Sequence, residues 1–254
     1  METLPLTFWD KMAKRYPHFY EPSMAKDVDF IFRWCESHGV VFKNTSILDI
    51  GCGTGAMAIP LAQKGSTVTA IDISDTMLSL LKADAHAYHV DHLITVVQSD
   101  WESFTPAPAY DIVIASMTPA VAQAEHLDKM FHVAQKIGIC VGWGSYRTNA
   151  FVDELLRSHQ KEDTCSSAGC FRVDNFMQYL DQKSVPYEYT LFDTQWSDPY
   201  TLQDAKEYAY EQLQRRSLTG DEKSIDALIE RYQKEGIVTI TTKAQKGIVL
   251  WRHN

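Results

Sequence analysis

The 254-residue chain is expected to fold as an α/β protein with a doubly wound, mostly parallel sheet. Three observations predict it. Ile47, Leu48 and Ile50 form a short, almost unbroken apolar run, as a strand covered on both faces requires. Gly51, Gly53 and Gly55 follow at alternate positions and lead into a helical stretch, Ala56–Lys64. Further runs rich in β-branched residues come at Val68–Ile71, Ile94–Val97 and Tyr110–Ala115. Strand, glycine turn and helix in that order open a Rossmann-type nucleotide site. Glycine there removes the Cβ atoms that would keep the backbone from turning sharply and lying against a ligand.

The elements follow in order. Thr7–Tyr20 is dense in aromatics, and Trp9, Ala13 and Tyr16 share one helical face. Ala25–His38 is a helix whose apolar side comes from Val28, Phe30, Ile31, Phe32, Trp34 and Cys35, with Gly39 as its stop. Ser74 caps a helix over Asp75–Tyr88 that turns Met77, Leu78, Leu80 and Leu81 inward. His86, His89 and His92 near its end have no cysteine or carboxylate cluster to complete a metal shell, so no metal is expected. Thr118 and Pro119 suit the start of a helix over Ala120–Ala134, and Ile137–Trp143 is a fifth strand. Helices Ala150–Gln160 and Val173–Lys183 lie either side of a polar loop, Lys161–Gly169. Val185–Phe192 alternates as a strand, and Thr201–Arg216 and Lys223–Glu235 are charged helices. Ile237–Thr242 and Gly247–Trp251 read as two closing strands. With no dividing linker or repeat, one domain over 1–254 is expected, comprising an N-terminal helical segment within 1–40, a core at 46–144 and a C-terminal part at 145–254.

Composition narrows the function. Hydrophobic content of 45% and charged content of 22% suit a globular protein, with no apolar run long enough for a membrane helix. Cys35, Cys52, Cys140, Cys165 and Cys170 are odd in number and scattered, as expected of reduced thiols in the cytoplasm, and the last two are too isolated for a zinc site. A net charge of −9 opposes the polyphosphate of a nucleic acid, which basic faces normally attract, so a nucleic-acid substrate is not expected.

Asp49-Ile-Gly-Cys-Gly-Thr-Gly55 departs from the G-x-G-x-x-G spacing of dinucleotide enzymes. It closely resembles the first motif of class I S-adenosylmethionine-dependent methyltransferases. The resemblance implies that Asp49, Gly51, Cys52, Gly53, Thr54 and Gly55 form the cofactor turn. Asp72 ends the second strand, where an acidic residue about 20 positions on can accept from ribose hydroxyls, and Ile73 adjoins it. The same resemblance assigns Asp100 to the adenine amino group, Trp101 and Met77 to contacts with the adenine, and Ser116 and Met117 to the side of the methyl group. Trp9, Asp10, Ala13 and Tyr16 match a W-D-x-x-A-x-x-Y segment that folds over the cofactor in small-molecule methyltransferases, which makes Trp9 and Tyr16 candidate cofactor residues. The family plan implies a seven-stranded, Rossmann-like sheet with an antiparallel edge. Residues 198–235 then become a helical insertion on the substrate side, with Tyr200, Tyr208 and Tyr210 as candidate lining.

The expected activity is methyl transfer from S-adenosylmethionine to a small-molecule acceptor, leaving S-adenosylhomocysteine. Such a displacement needs mainly positioning, which can supply ~7–11 kcal/mol. No nucleophile motif is evident, and His126, His132 and Tyr146 are open candidates for a base. Met117-Thr118-Pro119-Ala120 departs from the Asn-Pro-Pro-Tyr-like turn used on exocyclic amines and glutamine amides. An aminopropyl transferase or a non-catalytic cofactor-binding module are the alternatives on the same scaffold. The acceptor atom and the oligomeric state are not expressed in the sequence.

Overall fold

In the computed structural model, which describes residues 6–13, 16–106, 110–159 and 171–253, the first elements are helices α1 (Leu6–Ala13) and α2 (Pro22–Ser37). Pro22 opens α2 where its missing N–H costs nothing, and the helix buries Val28, Ile31, Phe32 and Cys35. Alternating strands and helices follow: β1 (Ser46–Ile50), α3 (Ala58–Gln63), β2 (Thr67–Asp72), α4 (Asp75–Ala87), β3 (Ile94–Gln98) and β4 (Tyr110–Ser116). Then come α5 (Ala124–Val133), β5 (Ala134–Asn149), α6 (Ala150–Ser158), α7 (Val173–Gln182) and β6 (Tyr187–Thr201). The chain ends with α8 (Leu202–Gln214), α9 (Glu222–Tyr232), β7 (Gln233–Lys234) and β8 (Ile237–Arg252).

The strands form one mostly parallel sheet in the order β3-β2-β1-β4-β5-β8-β6, with an antiparallel edge. Their number, seven, is the one the family plan implies, and the two-residue β7, antiparallel to β8, makes an eighth. β1 lies at the centre, parallel to β2 (Asp49 opposite Ala70) and to β4 (Ile50 opposite Ala115). Its alternate residues serve opposite faces. Ile47 packs with Ile112, Ile139 and Leu250, whereas Leu48 and Ile50 pack with Val113, Cys140 and Trp251. Burial on both faces is what the unbroken apolar run required. Trp251 enters this core over Gly138, where a Cβ would lie 1.8 Å from the indole.

The chain divides into two compact units. The first comprises Met1–Gly144, Gly169–Phe192 and Lys246–Asn254; the second comprises Ser145–Ala168 and Asp193–Gln245. The helical insertion expected at 198–235 falls in the second. There α6, α8 and α9 bury Phe151, Leu155, Ala209, Leu213, Ile225 and Leu228 in a core of their own.

Three expectations need correcting. The helix after the glycine turn starts at Ala58 rather than Ala56, because Gly55 at φ +90° holds the chain in a turn. The helix expected over 120–134 splits. Thr118 Oγ1 accepts from Ala120 N in a short 3₁₀ turn, Pro119–Val121, and extended Gln123 then interrupts the chain before α5. The two closing strands are one continuous strand, β8. Residues 243–246 contain no turn former, and Gly247 serves packing, since a Cβ there would lie 2.7 Å from Val173 Cγ2 and 2.9 Å from Leu191 Cδ2. The loop Lys161–Gly169, with Cys165 and Cys170, lies outside the described residues. Among the described residues no helix is long and apolar enough to cross a membrane.

Candidate functional site

The site begins where β1 ends. Gly51, Gly53 and Gly55 have φ of +65°, +54° and +90°, values that L side chains rarely adopt, so the turn depends on glycine at each position. The three differ in surroundings. A Cβ on Gly51 would sit 2.1 Å from Thr118 Oγ1, and one on Gly55 would sit 2.9 Å from Leu81 Cγ. One on Gly53 would find nothing nearer than Tyr16 Cε1, at 3.9 Å. Gly51 and Gly55 therefore lie against the protein, while Gly53 faces open space beneath Tyr16. Cys52 N donates to Ile71 O at 3.0 Å, which carries the β1–β2 pairing into the turn.

Asp72 holds this turn in place. Its Oδ2 accepts from Gly53 N and its Oδ1 from Ser74 N, both at 2.9 Å. Burial nevertheless raises the Asp72 pKa, against the hydrogen bonds from Ser74, Gly53 and Ile73. Beside it Asp49 is 1% exposed, and its Oδ2 has no partner among the described residues. Burial, then the charge of Asp72, pushes the Asp49 carboxyl up to about 7, opposed by a hydrogen bond from Ala58. The Cys52 thiol is held well above its usual range by burial and by both carboxylates, which makes it a poor nucleophile. Two neighbouring buried acids, one with an unsatisfied oxygen, make a locus that favours cationic groups and hydrogen-bond donors.

The N-terminal segment lies across this locus. Ser74 Oγ, the cap of α4, donates to Asp10 Oδ1 at 2.6 Å and accepts from Met77 N at 3.2 Å. Thr54 Oγ1 donates to Pro17 O at 3.2 Å, and His18 Nδ1 lies 2.6 Å from Asp84 Oδ2. The Tyr16 pKa is raised, first by burial and then by the charges of Asp72 and Asp49. Trp9 is half-buried and meets Phe8 edge to face. The strap Tyr16–His18 was not legible as a contact network. The hint in the sequence was the W-D-x-x-A-x-x-Y resemblance, which includes Asp10 and Tyr16.

The remaining candidates are placed as follows. Ile73 is half-buried beside Asp72, and Met77 is buried on the first turn of α4. Ser116 ends β4 and Met117 follows at φ +54°, with its N donating to Val141 O at 2.8 Å. A non-glycine residue held there is strained, as residues at functional sites often are. Asp100 is exposed and accepts from Ser103 N (2.7 Å) and Ser103 Oγ (2.6 Å), which lowers its pKa. Trp101 is 3% exposed in the core, donating from Nε1 to His126 O at 3.0 Å under the Lys129 ammonium. The structure thus gathers Asp49, the glycine turn, Asp72 and Tyr16 at one point, with Asp100 on a separate capped turn. Of the candidate bases, His132 Nδ1 bonds to Asp128 O in its own helix, and Tyr146 bonds to Asp193 in the second unit. No group of three or more metal-binding side chains occurs among the described residues.

Residues 47–138, which contain β1, the glycine turn, Asp72 and β4, match the family model described as a methyltransferase domain. The match is to a methyltransferase domain and covers less than half of the chain. An uncharacterized protein from Haemophilus influenzae is 41% identical over 127 residues, covering 50% of this chain and 45% of that protein. The release factor glutamine methyltransferase of Rhodopirellula baltica is 36% identical over 127 residues, covering 44% of this chain and 43% of the relative. The likeness to these curated relatives therefore spans less than half of their length. A S-adenosylmethionine-dependent methyltransferase from Geobacter sulfurreducens, solved with S-adenosyl-L-homocysteine, shares the fold over 100% of both chains with a TM-score of 0.51 and 14% identity. The family match ends before the second unit begins at Ser145, so the residues of that unit lie outside it.

Proposed function

We propose that this protein transfers a methyl group from S-adenosylmethionine to a small-molecule acceptor, in the cytoplasm. The observation that carries the reading is Gly53, open on its Cβ side and held by Asp72 at 2.9 Å, with the unpartnered Oδ2 of Asp49 behind it. The residues fit the cofactor. Asp72, already fixed by two N–H groups, offers its remaining lone pairs to the ribose hydroxyls. Asp49 supplies negative charge suited to a cationic ligand, and Gly53 leaves room for the ligand to approach the backbone. Tyr16 and Trp9 cover it, Met77 and Ile73 border it, and Ser116 and Met117 lie toward the reacting end. Asp100 joins the set from the turn after β3, whereas Trp101, buried beneath Lys129, serves the core.

When bound, S-adenosylmethionine supplies an electrophilic methyl on a sulfonium. The task left to the chain is to orient the acceptor and exclude water. A small acceptor rather than a nucleic acid is supported by the Met117-Thr118-Pro119 turn, which lacks the Asn-Pro-Pro-Tyr-like pattern, and by the net charge of −9. The cytoplasmic assignment is supported by the free, buried thiols of Cys35, Cys52 and Cys140. Titration calorimetry with S-adenosylhomocysteine, followed by incubation of labelled S-adenosylmethionine with a metabolite extract, tests the reading. Saturable binding and label transfer to a small product are expected. Binding without transfer would reduce the protein to a cofactor-binding module, and no binding would remove the proposal.

A further inference from the structure

Asp49 is a buried acid without a counter-charge. Ile47, Val68 and Ala70 belong to one face of the sheet, and alternation along β1 and β2 puts Asp49 and Asp72 on that same face, at its carboxyl end. Asp49 lies opposite Ala70 on β2 and Ile114 on β4, so its strand neighbours bring no charge. No Lys, Arg or His among the described residues pairs with it, and its Oδ2 has no partner at 1% exposure. The titratable groups that face the two carboxylates are themselves acidic: Cys52 from the turn, Tyr16 from the strap and Asp10 from α1. From α3 comes the backbone N–H of Ala58, and from α4 the neutral Ser74. Asp72 is better provided, with N–H donors from Gly53 and Ser74 at 2.9 Å each.

Two neighbouring carboxylates out of water do not both ionise unless a positive group joins them. Asp72 has the donors that an anion needs, so the shared proton settles on Asp49. The rise of the Asp49 carboxyl to about 7, by burial and then by Asp72, agrees with that allocation. A neutral acid has no preference for a cation, whereas an ionised one does. The space in front of the pair is open, since a Cβ on Gly53 would meet nothing nearer than Tyr16 Cε1 at 3.9 Å. A ligand that brings positive charge into that space weakens the hold of Asp49 on its proton. The proton passes to the solvent, the carboxylate stays, and no other bond is made or broken. An uncharged ligand of similar shape leaves the proton where it is.

We propose that Asp49 exchanges its proton for the positive charge of the ligand, and so selects cation-bearing adenosyl ligands over the neutral nucleoside, more strongly as pH rises. The inference rests on the cofactor reading above and adds to it a charge selection made by one residue.

The full-length protein is titrated calorimetrically at pH 6 in two buffers of different ionisation enthalpy. The ligands are S-adenosylmethionine and S-adenosylhomocysteine, both with a cationic amino group, and uncharged methylthioadenosine. The cationic ligands are expected to release a large part of one proton per molecule bound, and methylthioadenosine none. Between pH 5.5 and pH 8 the affinity for S-adenosylhomocysteine should rise about tenfold or more relative to methylthioadenosine. Asp49→Asn, an isostere of the neutral acid, should release no proton with any of the three and should flatten that ratio. The proton count of the wild type decides the matter by itself if the variant does not fold. Saturable S-adenosylhomocysteine binding without proton release, equal release by methylthioadenosine, or undiminished release by a folded Asp49→Asn protein would overturn the exchange and leave the cofactor reading standing. Absence of binding by both cationic ligands would overturn the cofactor reading, and the exchange with it.

Discussion

Asp72 Oδ2 accepts the backbone N–H of Gly53 at 2.9 Å, so the residue proposed for the ribose also fixes the glycine turn 19 positions before it. Its Oδ1 holds Ser74 N, which places the cap of α4. One carboxylate thus links β1, β2 and α4, and removing it has two consequences. Asp72→Ala is expected to cost ~1–3 kcal/mol of stability through the orphaned N–H groups. It should also weaken S-adenosylhomocysteine by a further ~1.5–3 kcal/mol through lost charge-assisted hydrogen bonds. Calorimetry together with urea denaturation separates the two, and unchanged affinity in a folded variant would take Asp72 out of the cofactor shell.

The glycines should fail in different ways. Gly51→Ala drives a Cβ to 2.1 Å from Thr118 Oγ1 and should destabilise the fold itself. Gly53→Ala meets no protein atom nearer than 3.9 Å, so its cost to folding is only the left-handed backbone, ~1–2 kcal/mol. It should nonetheless lose most of its S-adenosylhomocysteine affinity. A Gly53→Ala protein that binds at wild-type strength would show that the open side of the turn does not face the ligand.

Asp49 makes ligand-free stability depend on pH. Its carboxyl is raised to about 7 in the folded state, by burial first and then by Asp72, against ~3.9 when unfolded. The folded state therefore holds this proton more tightly, and stability falls as pH rises from ~4 through 7, by up to ~4 kcal/mol. Asp49→Asn removes that slope. Denaturation of the free protein at pH 5 and pH 8 is expected to show the variant gaining on wild type at the higher pH, and parallel pH profiles would refute the assignment.

The strap should respond to the ligand. Asp10, Pro17 and His18 already hold it to Ser74, Thr54 and Asp84, so hydrogen exchange at Tyr16–Tyr20 is expected to be partly protected without ligand and slower still with S-adenosylhomocysteine. Asp10→Ala should abolish much of the protection near α1. Equal exchange with and without ligand would make Trp9 and Tyr16 packing residues alone.

Trp101 gives the opposite expectation. It is buried, bonded to His126 O and covered by Lys129, whose Nζ also reaches Phe104 O at 2.6 Å. Trp101→Ala should lower stability by ~3–5 kcal/mol. A melting temperature like that of wild type would mean that the ring is not part of the core.

Local pattern in the sequence determined the buried β1 run, the glycine turn, Ser74 as a cap and Asp72 at the end of β2, because each depends on residues a few positions apart and on steric limits of the backbone. The contacts that give these residues their environments were decided only by the tertiary structure. Asp10 meets Ser74 across 64 positions, Thr118 closes on Gly51, and Trp251 fills the space left by Gly138. The same holds for β8, which lies between β5 and β6 and runs unbroken through residues 243–246, where no turn former stops it. Periodicity can place a residue on a face, but which face it then meets is settled by packing between elements far apart in the chain.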